Sequence, residues 1–421
     1  MFELYLVSFN CARSYVNPDT FAPSFFDALP KGASVPDVVA ISLQEVAPIA
    51  YSFLGGSYLK SYFDRVSTAV HLAADLHSHG SEQLEHVATR SLGMTALMIF
   101  AKPHIMERIQ WVQSAGAGVG FWNMGNKGAV AMRLGMSHPV HNDTLSLIFT
   151  AAHLAPMECN IAARNEDWEN LVRNMVFLND DDSAYTLSEQ APLLSSAQPP
   201  AETDGLFAPG SHLFFAGDLN YRTHDNPPGD DTYKSYPSGA SVANFSHWLQ
   251  KDQLIREKEA NRTLHGLREM PIEFPPTYKL SIHKDTQSHK RSSSDPDVQW
   301  DWAKHRYPSW CDRILFLPQA PPSALQPQIY TVLPVQATSD HRPVALSIRV
   351  DEEPLQPDQN QNRPPFPVNP NWRPRRDAAR RWEVIVGVLS YLALTKKGKA
   401  IIVAVVGMAL ASWFLAAALK R

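Results

Sequence analysis

Phe214-Phe215-Ala216-Gly217-Asp218-Leu219-Asn220-Tyr221-Arg222 is the stretch whose reading decides the fold. The apolar run from His212 to Ala216 has the length and content of a buried strand. Gly217 ends it and allows a sharp turn with close backbone approach. Asp218 and Asn220 follow two apart, a spacing that puts both side chains on one side of an extended segment. A carboxylate that takes a proton and a carboxamide that donates to a phosphoryl oxygen are what a water-activating hydrolase requires. The same residues also make an Asx turn closing a strand, and on this stretch alone the two readings stand even.

Other apolar runs tip the balance. Strands are expected at 3–9, 38–43, 93–101, 128–134, 145–152, 313–317 and 343–350, and helices at 58–77, 160–178 and 242–260. Asn10, Glu45, His153, Asp218, Asn220, Asp312 and the pair Asp340-His341 all flank strand runs and none sits inside one. Stacked strands would gather such residues at one rim, where charge is solvated or metal-bound. Several carboxylates with two histidines and two asparagines form an inventory for metal-assisted hydrolysis. Residues 93–101 and 128–134 read as a pair of strands joined by the Gly-rich segment Gly116–Gly128, whose amides and Lys127 can meet an anion. His71, His77, His79 and His86 are expected on a solvated helix face and loop, since nothing completes a ligand set around them. Residues 180–210, acidic and then rich in Ser, Ala and Pro, are expected to be a disordered insertion, and the polar, Ser-rich residues 281–299 a mobile loop.

Composition limits the function classes. The chain has 421 residues with 44% hydrophobic content, enough for a sizeable core. From Asn371 onward ten Lys or Arg face two Asp or Glu, so the tail is near +8 and the rest near −12. An acidic body argues against nucleic acid as a partner, and a basic tail points to an anionic membrane surface. Cys11, Cys159 and Cys311 are odd in number and far apart, so neither a disulfide framework nor a disulfide-linked partner is expected. No secretory leader is read at Met1, and the sequons at Asn142, Asn244 and Asn261 are taken as chance matches.

Taken in order, Phe9-Asn10, Leu43-Gln44-Glu45, Gly125-Asn126-Lys127-Gly128-Ala129-Val130, His153-Leu154, Gly217-Asp218-Leu219-Asn220-Tyr221-Arg222, Pro275-Pro276-Thr277-Tyr278-Lys279, Pro308-Ser309-Trp310-Cys311-Asp312-Arg313-Ile314-Leu315 and Ser339-Asp340-His341-Arg342-Pro343-Val344 resemble the motifs of the inositol polyphosphate 5-phosphatases. The resemblance spans residues 3–350. It implies a four-layer α/β sandwich of the DNase I type for residues 1–350. Two departures stand out. Ala12 replaces the family's second asparagine in the first motif, and Leu280 replaces the phenylalanine after Tyr-Lys.

The resemblance also implies roles. Glu45, with Asn10, holds one Mg²⁺; Asp218 takes the proton from the attacking water; Asn220 and His153 donate to phosphoryl oxygens. His341 donates as a cation oriented by Asp312, and Asp340 supports the metal side. Tyr278, Lys279, Lys304 and Arg306 contact the neighbouring 4-phosphate, and Asn126, Lys127 and Arg222 touch the inositol phosphate.

Residues 351–383 read as a Pro/Arg-rich linker, and 384–399 as an apolar then basic juxtamembrane segment whose apolar part is too short to span. Ala400 to Leu419 is uncharged throughout. At about 1.5 Å per residue it crosses roughly 30 Å of hydrocarbon, and is expected to be a C-terminal transmembrane helix. The larger basic charge upstream places the body in the cytosol. The arrangement resembles fungal members of the family that are tail-anchored in the endoplasmic reticulum and act on phosphatidylinositol 4,5-bisphosphate. Two other readings remain open from sequence: a nuclease or sphingomyelinase of the same superfamily, and an inactive membrane-tethered scaffold.

Overall fold

The computed structural model describes residues 1–140, 143–179, 205–237, 242–283, 299–319, 322–355 and 363–419. Most of the insertion expected at 180–210, and the core of the one at 281–299, lie outside the described residues.

Two six-stranded sheets stack face to face. The first has the order β13-β14-β1-β2-β4-β3, from Leu325–Val332, Val344–Val350, Phe2–Asn10, Val38–Gln44, Thr95–Ala101 and Glu85–Leu92. The second has the order β12-β9-β7-β6-β5-β8, from Asp312–Phe316, Ser211–Asp218, Thr144–His153, Gly128–Ser137, Ile109–Gly118 and Leu178–Asn179. A small ribbon pairs β10, Leu280–Ile282, with β11, Trp300–Trp302.

The side-chain period of two sorts each strand between two cores. Leu4 and Leu6 of β1 turn to the inter-sheet core with Met132, Leu134, Leu147 and Phe149, whereas Tyr5, Val7 and Phe9 turn outward. There they meet Leu59, Tyr62, Phe63 and Val66 of α2, Ser57–Ser78, which follows the short α1, Ile49–Leu54. On the far side Ile148, Leu213 and Phe215 meet Trp168, Leu171 and Val172 of α3, Ile161–Asn174. Helix, sheet, sheet and helix make the four layers expected.

Several elements depart from the sequence reading. The strands near 93–101 and 128–134 are not a pair: β4 belongs to the first sheet and β6 to the second, with β5 between them in sequence. β5 is rich in Gly and Ala at its end, and its place depends on close approach: a Cβ on Gly135 would lie 2.0 Å from the Trp111 ring. His86 stands on the edge strand β3 and packs against Phe100, centroids 5.4 Å apart, not on a helix face. His71 packs on the same ring. The helix expected over 160–178 stops at Asn174, and that over 242–260 is two short helices, Ser246–Leu249 and Gln253–Glu259.

The largest correction lies in the tail. The expected boundary between a linker ending at 383 and a segment starting at 384 falls inside one helix, α4, Trp372–Leu394, which packs on the body. Only α5, Lys396–Leu419, stands away from it, with none of its apolar window buried.

The strand register builds the functional rim. β1 and β2 run parallel with Asn10 beside Gln44, so Glu45 leaves the sheet next to Asn10. β7 and β9 run parallel with His153 beside Asp218, and β12 returns antiparallel with Asp312 beside Asp218. Three polar groups thus arrive on three neighbouring strands at one level, strands about 4.8 Å apart.

Candidate active site

A cavity of about 330 Å³ opens where the two sheets' strand ends meet. Asn10, Glu45, Lys127, His153, Asp218, Asn220, Arg222, Tyr278, Lys279, Asp340 and His341 line it. Four lining residues other than glycine, Ala12, Arg13, Glu45 and Asn220, hold positive φ. Such backbone costs energy and persists where the surroundings over-determine it, as functional sites do.

Asp218 sits at the centre, 1% exposed. Its Oδ1 accepts from the Asn220 backbone N–H at 3.1 Å, which is the Asx turn. Its Oδ2 accepts from Asn10 Nδ2 at 2.9 Å and faces His153 Nε2 at 3.2 Å and His341 Nε2 at 3.9 Å. Turn and functional pair therefore coexist, one on each oxygen. Burial alone would raise this carboxyl, but His153, His341 and Lys127 around it outweigh burial and hold it well below the usual range. His341 shows the reverse balance. Burial disfavours its cation, yet Asp312, 2.8 Å from Nδ1, and Asp218 push it up to about 9. Asp312 lies behind the wall and is itself held by Thr277 Oγ1 at 2.7 Å. His153 is driven the other way, by burial and then by Lys127, whose Nζ hydrogen-bonds to its ring.

Asn220 is not extended: its φ is +57°. One amide hydrogen goes to Leu154 O at 3.1 Å, leaving the other for a ligand. Its Oδ1 accepts from Arg222, whose guanidinium lies 4.4 Å from the Tyr278 ring centroid. Lys279 Nζ pairs with Asp340 at 2.9 Å, which outweighs burial and raises the lysine. Asp340 is lowered because His341 and Lys279 outweigh its own burial.

Three expected residues are not brought to the cavity. Asn126 folds back onto Gly120, where a Cβ would stand 2.0 Å from its Oδ1. Lys304 lies over the Tyr233 ring at 4.6 Å. Arg306 reaches Met157 Sδ at 3.3 Å and Glu158 at 3.7 Å. Conversely, Arg13 lines the cavity and meets Glu45 at 3.0 Å, although the sequence reading passed over it. Its only signal is its place directly after the first motif. Ser339, which opens the last motif but is given no role from sequence, donates from Oγ to Asn10 O at 2.6 Å and ties the Asp340-His341 loop to β1.

The donor chemistry fits a hard cation. Glu45 offers carboxylate oxygens, and the buried Asn10 Oδ1 keeps a second lone pair beyond the one that accepts from the Ala12 N–H at 3.0 Å; Arg13 and Lys127 stand 3.0 and 4.0 Å from the Glu45 carboxylate, so a divalent ion would take their place as its partner. Asp218, Asp312 and His341 form a second group, each with a ligand atom within 4.8 Å of the others, and Asp312 Oδ1 is buried without a partner among the described residues. Since His341 Nδ1 and Asp312 Oδ2 are engaged with each other, the Glu45 side is the more open of the two.

Comparison with known proteins gives the family and the fold. A model of endonuclease/exonuclease/phosphatase family 2 matches residues 7–347. The chain is 28% identical over 317 residues to the polyphosphatidylinositol phosphatase INP53 of Saccharomyces cerevisiae, covering 75% of this chain and 24% of that protein. It is 29% identical over 290 residues to the phosphatidylinositol 3,4,5-trisphosphate 5-phosphatase 2B of Danio rerio, covering 67% of this chain and 20% of that protein. The chain thus spans at most about a quarter of the length of these two relatives. Among solved structures, the inositol polyphosphate 5-phosphatase domain of SpSynaptojanin, in complex with inositol (1,4)-bisphosphate and a calcium ion, superposes with a TM-score of 0.58. That match has 20% identity and covers 92% of this chain and 93% of that one, a likeness of fold. The chain belongs to endonuclease/exonuclease/phosphatase family 2, and the relatives it resembles there are inositol polyphosphate 5-phosphatases.

Proposed function

We propose that the chain removes the 5-phosphate of phosphatidylinositol 4,5-bisphosphate by direct attack of water, with Mg²⁺, at the cytosolic face of the endoplasmic reticulum membrane. The observation that carries this is the convergence of Glu45, His153, Asp218 and His341 on a cavity walled by Arg222, Tyr278 and Lys279. Glu45 and Asn10 would hold the Mg²⁺, which when bound supplies charge stabilisation at the scissile phosphate. His341, as a cation, and the free amide hydrogen of Asn220 donate to phosphoryl oxygens. Lys127 meets the same phosphate. Asp218 orients the attacking water and takes its proton. A carboxylate held low by cations is a poor base, but an arriving phosphate engages those same cations and returns basicity to Asp218. Cys11 and Cys311 are buried and their thiols are pushed up by burial, so neither offers a thiolate nucleophile at neutral pH.

Lys279 and Tyr278 suit a second phosphate beside the scissile one. Lys279→Met is expected to raise KM for the lipid by roughly tenfold to a hundredfold, the worth of one charge-assisted hydrogen bond. The pair with Asp340 is partly exposed, so the thermal midpoint should move little. Equal losses in affinity and stability would make Lys279 structural.

Chelation provides another check. Excess EDTA should abolish phosphate release by the full chain in mixed micelles, and Mg²⁺ should restore it. Release that survives EDTA would remove the metal from this account. The decisive assay compares phosphate release from phosphatidylinositol 4,5-bisphosphate, soluble inositol trisphosphate, sphingomyelin and DNA, with the vacated ring position identified. Activity on DNA or sphingomyelin alone would favour the other superfamily readings, and no activity on any would favour a scaffold.

What supports anchoring is α5, whose 24 residues are long and apolar enough to cross a bilayer and are exposed throughout its apolar window. Lys396, Lys397 and Lys399 lie at its upstream end and favour the cytosolic side there. A lipid substrate held in the same membrane reaches a high effective concentration at the site.

A further inference from the structure

Helix α4 lies beyond the residues that the family model matches, yet it touches the base of the loop carrying Lys127. Glu383, 1% exposed, accepts a hydrogen bond from the Gly125 N–H at 2.8 Å and pairs with Arg380 at 3.1 Å. Arg380 also donates to Phe53 O at 2.8 Å, and Arg375 donates to Asn123 Oδ1 at 2.5 Å and to Asn170 Oδ1 at 2.8 Å. Trp382 packs on Trp122, ring centroids 4.5 Å apart. The approach is close: a Cβ on Gly387 would stand 3.0 Å from Phe53 Cβ.

We propose that α4 is a strap that seats the loop between β5 and β6, with Glu383 acting as a positioning residue for Lys127. This rests on the phosphatase reading above, in which Lys127 meets the scissile phosphate. A buried carboxylate is costly unless its hydrogen bonds are made, and Glu383 makes its bond to the backbone two residues before Lys127. The next peptide, on the carbonyl side of Gly125, is held as well. Gly125 O accepts from Met94 N at 2.9 Å, and Met94 O accepts from Val46 N at 3.2 Å, next to Glu45. Gly93 permits this contact, since a Cβ there would lie 2.2 Å from Gly125 O. One hydrogen-bonded run therefore joins the membrane-proximal helix to the backbone beneath Lys127 and Glu45. A double-mutant cycle measures the coupling along this run.

The test uses the full chain in detergent micelles, with Glu383→Ala and Glu383→Gln made alone and with Lys127→Met. Amide hydrogen exchange over residues 119–128, read without substrate, should quicken about tenfold or more in Glu383→Ala, while Glu383→Gln keeps an acceptor and stays near wild type. Phosphate release from phosphatidylinositol 4,5-bisphosphate should fall about tenfold or more in kcat/KM for Glu383→Ala and recover in Glu383→Gln. With Lys127→Met already present, Glu383→Ala should cost less than about twofold more. Equal fractional loss with and without Lys127, or unchanged exchange in Glu383→Ala, overturns the proposal. If the wild-type chain releases no phosphate, the proposed function fails, and the exchange measurement still decides whether Glu383 seats the loop.

Discussion

Asp218→Asn should lower kcat by roughly a thousandfold, within the range that a positioned general base contributes. The substitution keeps size and an acceptor for the Asn220 N–H, so the turn that closes β9 survives. What disappears is the negative charge between His153, His341 and Lys127. Two effects then act together. The water loses its base, and the three cationic or donating groups lose the anion that fixes their positions. The loss should fall on kcat more than on KM, since proton removal belongs to the transition state. Stability should fall by about 1–3 kcal/mol, the cost of weakening buried charged hydrogen bonds, and the variant should remain folded by circular dichroism. Residual turnover above a tenth of wild type would take the base assignment away from Asp218.

The rim was legible because the sequence states it twice. Apolar runs ending in Asn10, Glu45, His153 and Asp218 say where strands stop, and polar side chains at those stops say what the stops do. The register supplies the rest: parallel pairing of β7 with β9 brings His153 level with Asp218, and antiparallel β12 brings Asp312 level with both. Residues carried on loops were less legible. Lys304 and Arg306 follow β11 in a turn whose course depends on tertiary contacts with Tyr233 and Glu158. Asn126 shares a motif with Lys127, but the loop turns one side chain inward to Gly120 and the other to the cavity. The missed strands β3, β5 and β13 carry weak β signals. β13 contains Pro327 and lies at a sheet edge, where a missing N–H is tolerated. Helix α4 escaped notice because Arg and Pro dominate its first turns. It turns Ala379, Glu383 and Gly387, four residues apart, to the body and is held by Arg375, Arg380 and Glu383 reaching particular backbone and amide groups, a face too poor in apolar residues to show as a hydrophobic stripe.

His341→Ala should cost a hundredfold to a thousandfold in kcat, about the worth of one preorganised donor to a transition-state oxygen. The sharper prediction concerns pH. His341 is pushed up to about 9 from an ordinary 6.5, against its own burial, by Asp312 and Asp218. It is therefore a cation across neutral pH, and its contribution to wild-type kcat should decline as pH rises through about 9. The same group contributes stability that is fully present below 6.5 and is lost as pH rises through about 9, because the folded state holds its proton more tightly than the unfolded chain. Asp312→Asn keeps an acceptor for Thr277 and for Nδ1 but removes the charge 2.8 Å away. Burial then acts with less opposition, and the descending limb of kcat should move from about 9 toward 6.5. At pH 6 the variant should retain much of its rate; at pH 8.5 it should lose most of it. Arg222 and Lys279 stay charged across this window, and Lys127, lowered by its burial, is common to wild type and variant, so none of the three imitates a shift that follows Asp312→Asn. A limb that stays near 9 in Asp312→Asn would mean that Asp218 alone holds the His341 proton. A fall equal at every pH would mean that Asp312 positions the ring without setting its charge.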